Sequence, residues 1–384
     1  MKRKIIFLSL LFMLTTSNLV YAQEENTDAI LEEQKESFGI SDFINEAENY
    51  SGDFFEDINI QEMLNNAITG NIDNNTIYKK ILSLLGKEVT TSIQVLISIM
   101  VIIIIHSVLK SISDSLENSN VSQIIYYVQY ILIVTIMMSS FSDIIQLVKE
   151  TADNLVGFMN ALVPLLISLM LYTGSIVTSS LLEPIILFII NFLGNIINII
   201  LIPIVLIITV LSIISKISDK IQIDKLAGFF KSGVIWFLGI SLTLFVAVIS
   251  LEGTLSSSID GITAKTAKAA VSNVIPVVGK ILGDAVDTVL GCGVVLKNAV
   301  GIIGVIIIIG ICIMPILKIG VLTIAYSLAS GIIQPIADEK IVKLLGDMAD
   351  IFKILLAILC AISIMLIIGT TLVIKISNIG MMYR

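Results

Sequence analysis

From residue 89 onward, long apolar runs alternate with short polar breaks. Each run approaches the roughly 20 residues that a helix needs to cross a hydrocarbon core of about 30 Å. Spanning helices are predicted at residues 89–109, 123–141, 155–173, 233–251, 299–317, 319–336 and 354–374. The block 181–215 fits one long tilted helix or two short spans bent near Asn195 to Pro203. Charge favours two. With the N-terminus outside, two spans put Lys216, Lys220, Lys225 and Lys231 in the cytoplasm, as the positive-inside bias requires. The same count leaves Lys340 and Lys343 outside. The expected fold is all-α: a polytopic integral membrane protein with eight or nine transmembrane helices over residues 89–384.

The chain before residue 89 reads differently. "MKRK" followed by "IIFLSLLFML" and "VYA" is a signal sequence over residues 1–22, with cleavage after Ala22. Residues 23–88 form an acidic extracytoplasmic segment holding 4 Lys against 15 Asp or Glu. Within it Ile60, Met63, Leu64, Ala67 and Ile68 share one helix face that ends at Gly70, and Ile77, Ile81, Leu84 and Leu85 lead to Gly86. Such helices can pack on one another, on the membrane or on a partner; a loosely ordered leader is the other reading.

Composition agrees with a lipid-embedded body. Of 384 residues, 56% are hydrophobic and 14% charged, where soluble domains carry about 25% charged. The formal charge of −8 comes from the leader, and no basic patch exists for nucleic acid. Cys292, Cys312 and Cys360 have no metal or redox spacing.

A polar, small-residue insert occupies residues 253–298. Its first half suits a helix capped by Asp260 or Thr263, with Lys265 and Lys268 on one face. Pro276 breaks the pattern. A second helix then begins near Val277, with Gly279 and Gly283 at helix-packing spacing and Asp284 and Asp287 on a shared face. A charge at mid-bilayer costs about 2.5–3.5 kcal/mol. The insert is therefore either a hairpin on the membrane surface or a re-entrant hairpin whose Lys265, Lys268, Asp284 and Asp287 line a path or contact a partner.

The stretch "DGITAKTAKAAVSNVIPVVGKILGDAVDTVLGCGVVLKNAVG", residues 260–301, resembles the signature region of the stage III sporulation protein AE family. The signal sequence, short leader and multi-span body agree with that family. The resemblance implies a non-enzymatic membrane subunit of a channel or feeding-tube complex, in the mother-cell membrane around the forespore. Its implied partners are the other proteins of the stage III sporulation A operon and, across the intermembrane space, a forespore membrane protein. It implies support of forespore development and late forespore gene expression, with no catalytic residues and no cofactor. A stand-alone secondary transporter and an assembly scaffold without its own pore stay open as alternatives.

Other candidates carry less. Glu183, before Pro184, is a candidate path-lining carboxylate or part of a turn between spans. His106 lies near the end of the first span, and Tyr126, Tyr127, Tyr130 and Trp236 suit interfacial anchoring. Asp284 and Asp347 each follow Gly, but the GxGD pattern of intramembrane aspartyl proteases fails at Ile281 and Leu344. With one histidine and no phosphate-binding loop, no enzyme class finds support.

Overall fold

The computed structural model describes residues 23–55, 58–70, 74–115, 119–217, 223–274 and 278–382, and no strand occurs among them. The signal sequence lies outside the described residues. The leader is folded. It comprises α1 (Gln23–Ser37), α2 (Ile40–Ser51), a 3-10 turn (Gly52–Phe55) and α3 (Ile60–Thr69). Gly39, at φ 62°, makes the sharp turn between α1 and α2 that an L side chain resists. The α3 helix starts on Asn59, whose side chain accepts the Glu62 N–H, and stops at left-handed Gly70.

Burial follows the helical period. Ile40, Phe43, Ile44 and Ala47 of α2 and Ile60 and Leu64 of α3 are buried, while Glu33, Glu36, Glu46, Glu48 and Glu62 face outward. The loosely ordered leader is therefore replaced by a docked layer of short helices.

Six helical rods follow that are long and apolar enough to cross a membrane, among the described residues. They are α4 (Asn74–Ser115), α5 (Ser119–Tyr172), a rod of α6 (Ile176–Ile196) and α7 (Ile202–Ile217), α8 (Asp224–Val274), α9 (Val278–Ile333) and α10 (Glu339–Met382). This corrects the expected eight or nine spans. The runs 123–141 and 155–173 both lie on α5, and 299–317 and 319–336 both lie on α9. Burial explains the over-count. Leu155, Phe158, Leu162, Leu166 and Leu169 are apolar because protein surrounds them on α5, a second environment that reads like lipid in sequence.

The block 181–215 is likewise one rod. A π turn, Ile197–Leu201, joins α6 to α7 where two spans were expected to bend. Pro203 lacks an N–H and crowds the preceding turn, so the helix widens there and continues. The polar insert is not a separate pair of helices either. Its first half extends α8 as far as Val274, and its second half begins α9 at Val278; the break expected at Pro276 lies outside the described residues.

The central helix is α9, which packs on α10, α5, α4 and every leader helix. Small residues permit this. Gly304 sits under Leu162 and Gly310 under Phe55, where any side chain would collide.

Candidate functional site

Two ends of the bundle carry polar chemistry. At the leader end, Gly174 (φ 85°) turns the chain from α5 into α6. The new helix presents unsatisfied N–H groups there. Asp260 of α8, 5% exposed, accepts from the Val177 and Thr178 N–H groups through its two carboxylate oxygens, both at 2.9 Å. Asp260 was expected to cap a helix of its own insert; it caps a different helix instead. Its negative charge also faces the positive end of the α6 dipole. Nearby, Gln34 of α1 donates to the Val289 carbonyl at 3.1 Å and to the Tyr172 hydroxyl at 3.2 Å. Phe38 meets the Tyr172 ring edge-on at 5.3 Å, and Phe43 packs on Phe158.

At the opposite end a charged junction ties three helices. Lys216 of α7, with its side chain 10% exposed, lies 2.9 Å from Asp224 of α8 and 3.4 Å from Asp347 of α10. Lys231 of α8 reaches Asp347 at 3.1 Å and Asp350 at 3.9 Å, and Lys353 also holds Asp350 at 2.9 Å. Sharing one carboxylate between the buried Lys216 and the largely buried Lys231 offsets their desolvation. Beside the junction is a cleft of about 310 Å³, bordered by Ser327, Ser330, Lys343 and Gly346. The Tyr126 hydroxyl donates to the Lys216 carbonyl at 3.0 Å, and Lys340 lies over the Tyr126 ring. Lys340 therefore belongs to the Lys216 end. The charge count had put it on the opposite side, because α9 was read as two crossings.

The expected site residues are scattered. Lys265 and Lys268 lie on the far part of α8, and Gly279, Gly283 and Asp284 on the first turns of α9; the backbone is helical at all five, and their side chains, with that of His106, lie outside the described residues. Asp287 is exposed on α9. Glu183 is half-buried inside α6, beyond the turn at Gly174, so the inter-span turn does not account for it. Asp284 and Asp347 are no dyad. Asp347 shares the cleft with Ser327, and Asp284 is about 65 Å further along α9 at 1.5 Å per residue. No group of three His, Cys, Asp or Glu among the described residues could hold a metal ion.

Sequence reasoning missed two features. Lys297 is fully buried in α9; its signal was a lone cation in the run "GVVLKNAVGIIG". The second is a polar face on α5, passed over as an inter-span break. There Gln146 donates to Glu150 at 2.8 Å, and Asp153 accepts from Asn198 at 2.7 Å. Asn160 and Asn191 exchange amide hydrogen bonds at 3.1 and 3.4 Å. Positions 143, 146, 150, 153, 157 and 160, spaced by three or four, were the legible signal.

The family model described as Stage III sporulation protein AE matches residues 58–377. The chain belongs to the stage III sporulation protein AE family. The matched region of this AE family member runs from just before α3 through most of α10, so it takes in the charged junction, the capped turn and the polar face. A curated relative, the Stage III sporulation protein AE of Bacillus subtilis (strain 168), is 30% identical over 306 residues, covering 80% of this chain and 77% of its own length. No solved structure matches. Membership in the AE family gives the chain a role in sporulation, and its apolar rods make it a membrane protein.

Proposed function

We propose that this protein is a non-enzymatic subunit of the channel or feeding-tube complex that links mother cell and forespore, seated in the mother-cell membrane around the forespore. The observation that carries the reading is the docked leader. Three short helices are seated on α5 and α9 through Gln34, Phe43 and Phe55, and they turn a row of carboxylates outward. A membrane protein that only moved a solute would not need a rigid acidic platform at one end; a subunit that meets partners there does. Other proteins of the stage III sporulation A operon are the proposed contacts, and through them a forespore membrane protein.

The test is an in-frame deletion in the source organism, scored for growth and spore formation. Normal growth with arrest around or after engulfment supports the assignment, and normal sporulation overturns it. Deleting residues 23–70 from a complementing copy should abolish recovery of the operon partners while the membrane body still accumulates. Retained partner recovery would remove the platform's role. Ion-coupled uptake by the purified protein in liposomes would favour the stand-alone transporter instead.

A further inference from the structure

We propose that the cleft beside the charged junction is a lipid site, taking an ethanolamine-type phospholipid headgroup with its phosphate at Lys353 and its primary ammonium at Asp350 and Asp347. The cleft lies at headgroup depth, where three apolar runs stop together. The α7 run ends before Lys216, the α8 run 233–251 begins just beyond Lys231, and the α10 run 354–374 begins at the residue after Lys353. Aromatic side chains ring the same level. Tyr126 bonds the Lys216 carbonyl, Tyr127 beside it is exposed, and Trp236 is 73% exposed on α8. Trp and Tyr at the ends of apolar runs mark the headgroup layer, and basic pockets between helices on the lysine-rich side hold lipid headgroups.

The charges in the cleft match a zwitterion. One face of α10 presents Lys343, Asp347, Asp350 and Lys353 to it, about 15 Å from end to end. From the apolar run outward the order is Lys353, Asp350, Asp347. An ethanolamine phospholipid, followed from its acyl chains outward, presents phosphate and then ammonium, which is the complementary order. Lys216 and Lys231, with side chains only 10% and 18% exposed, hold Asp347 from behind. Lys353 and Asp350 are half-exposed, and an exposed ion pair contributes so little that both can turn to a ligand. Ile324 and Leu328 of α9 are exposed and share a helix face with Ser327 at the edge of the cleft, an apolar strip for an acyl chain. Two carboxylates disfavour a purely anionic headgroup. A quaternary choline suits an aromatic cage, and no aromatic side chain borders the cleft among the described residues. The inference needs only a membrane setting, and it survives failure of the channel-complex reading.

The test is native mass spectrometry of the purified full chain in detergent, titrated separately with phosphatidylethanolamine, phosphatidylcholine and phosphatidylglycerol. The ethanolamine lipid should bind about tenfold more tightly than either of the others. Asp350→Asn should erase its preference over the glycerol lipid, and Lys353→Gln should weaken its binding about tenfold. Lys375→Gln, exposed near the far end of α10, should change nothing. Thermal midpoints in lipid-free detergent separate loss of the site from loss of the fold; if Asp350→Asn lowers the midpoint, Lys353→Gln decides alone. Equal binding of the three lipids, tighter binding of either other lipid, or an ethanolamine preference untouched by both substitutions overturns the proposal. Displacement of the lipid by an equal concentration of soluble glycerophosphoethanolamine would make the ligand a free phosphoethanolamine compound and overturn the lipid site.

Discussion

Single residues decide where this chain turns. Asp260 is the clearest case, since one carboxylate closes the start of α6 from a helix more than eighty residues away in sequence. Hydrogen bonds to a charged acceptor contribute about 1.5–3 kcal/mol each, and two N–H groups are orphaned together if the carboxylate is lost. Asp260→Ala should therefore lower the thermal midpoint in detergent clearly, with Asp260→Asn intermediate because its single oxygen still accepts. An unchanged midpoint for the alanine variant would show that the cap contributes nothing. Sequence offered Asp260 or Thr263 as the cap of the insert's own helix, and placed that cap wrongly, since Asp260 lies inside α8. It could not name the helix capped, because that pairing is made only when α6 and α8 come together.

At the scale of elements, periodicity revealed α3 and its stop at Gly70, and the extent of each rod was misread where an apolar stretch met a polar one. A sequence window does not distinguish lipid from a protein interior, and α5 and α9 pass through both. The contact between leader and body rests on a small residue, Gly310, against which the Phe55 ring lies. Gly310→Val should displace that ring and free the leader. Limited proteolysis should then cut residues 23–70 quickly while the fragment holding the six rods stays intact. Equal protease resistance of variant and parent would show that the leader is held elsewhere.

At the scale of the whole molecule, the six rods give the two ends different chemistry. Lysines 216, 231 and 340 gather at one end, and the carboxylates of α1 to α3 at the other. Cysteines introduced at Lys225 and Lys340 should react with an impermeant reagent from the same side of the membrane, and one at Glu46 from the opposite side. Labelling of Lys225 and Lys340 from opposite sides would mean that α9 does not run as one rod. This arrangement also removes the conflict in the positive-inside count, since the mergers on α5 and on the α6–α7 rod together keep Lys216 on its side, and the third, on α9, moves Lys340 to join it.

The sequence by itself determined the solvent, the helical class and the family. Composition and run length report burial of apolar surface irrespective of partners, and the stretch 260–301 is specific enough to carry the family resemblance. Only the tertiary structure decided how many rods exist, which helix Asp260 caps, that Asp347 bridges Lys216 and Lys231, and that the polar break after residue 141 is a face of a continuous helix. Each of these depends on which groups meet across helices distant in sequence, and local periodicity is the same whether a helix face meets lipid, water or another helix.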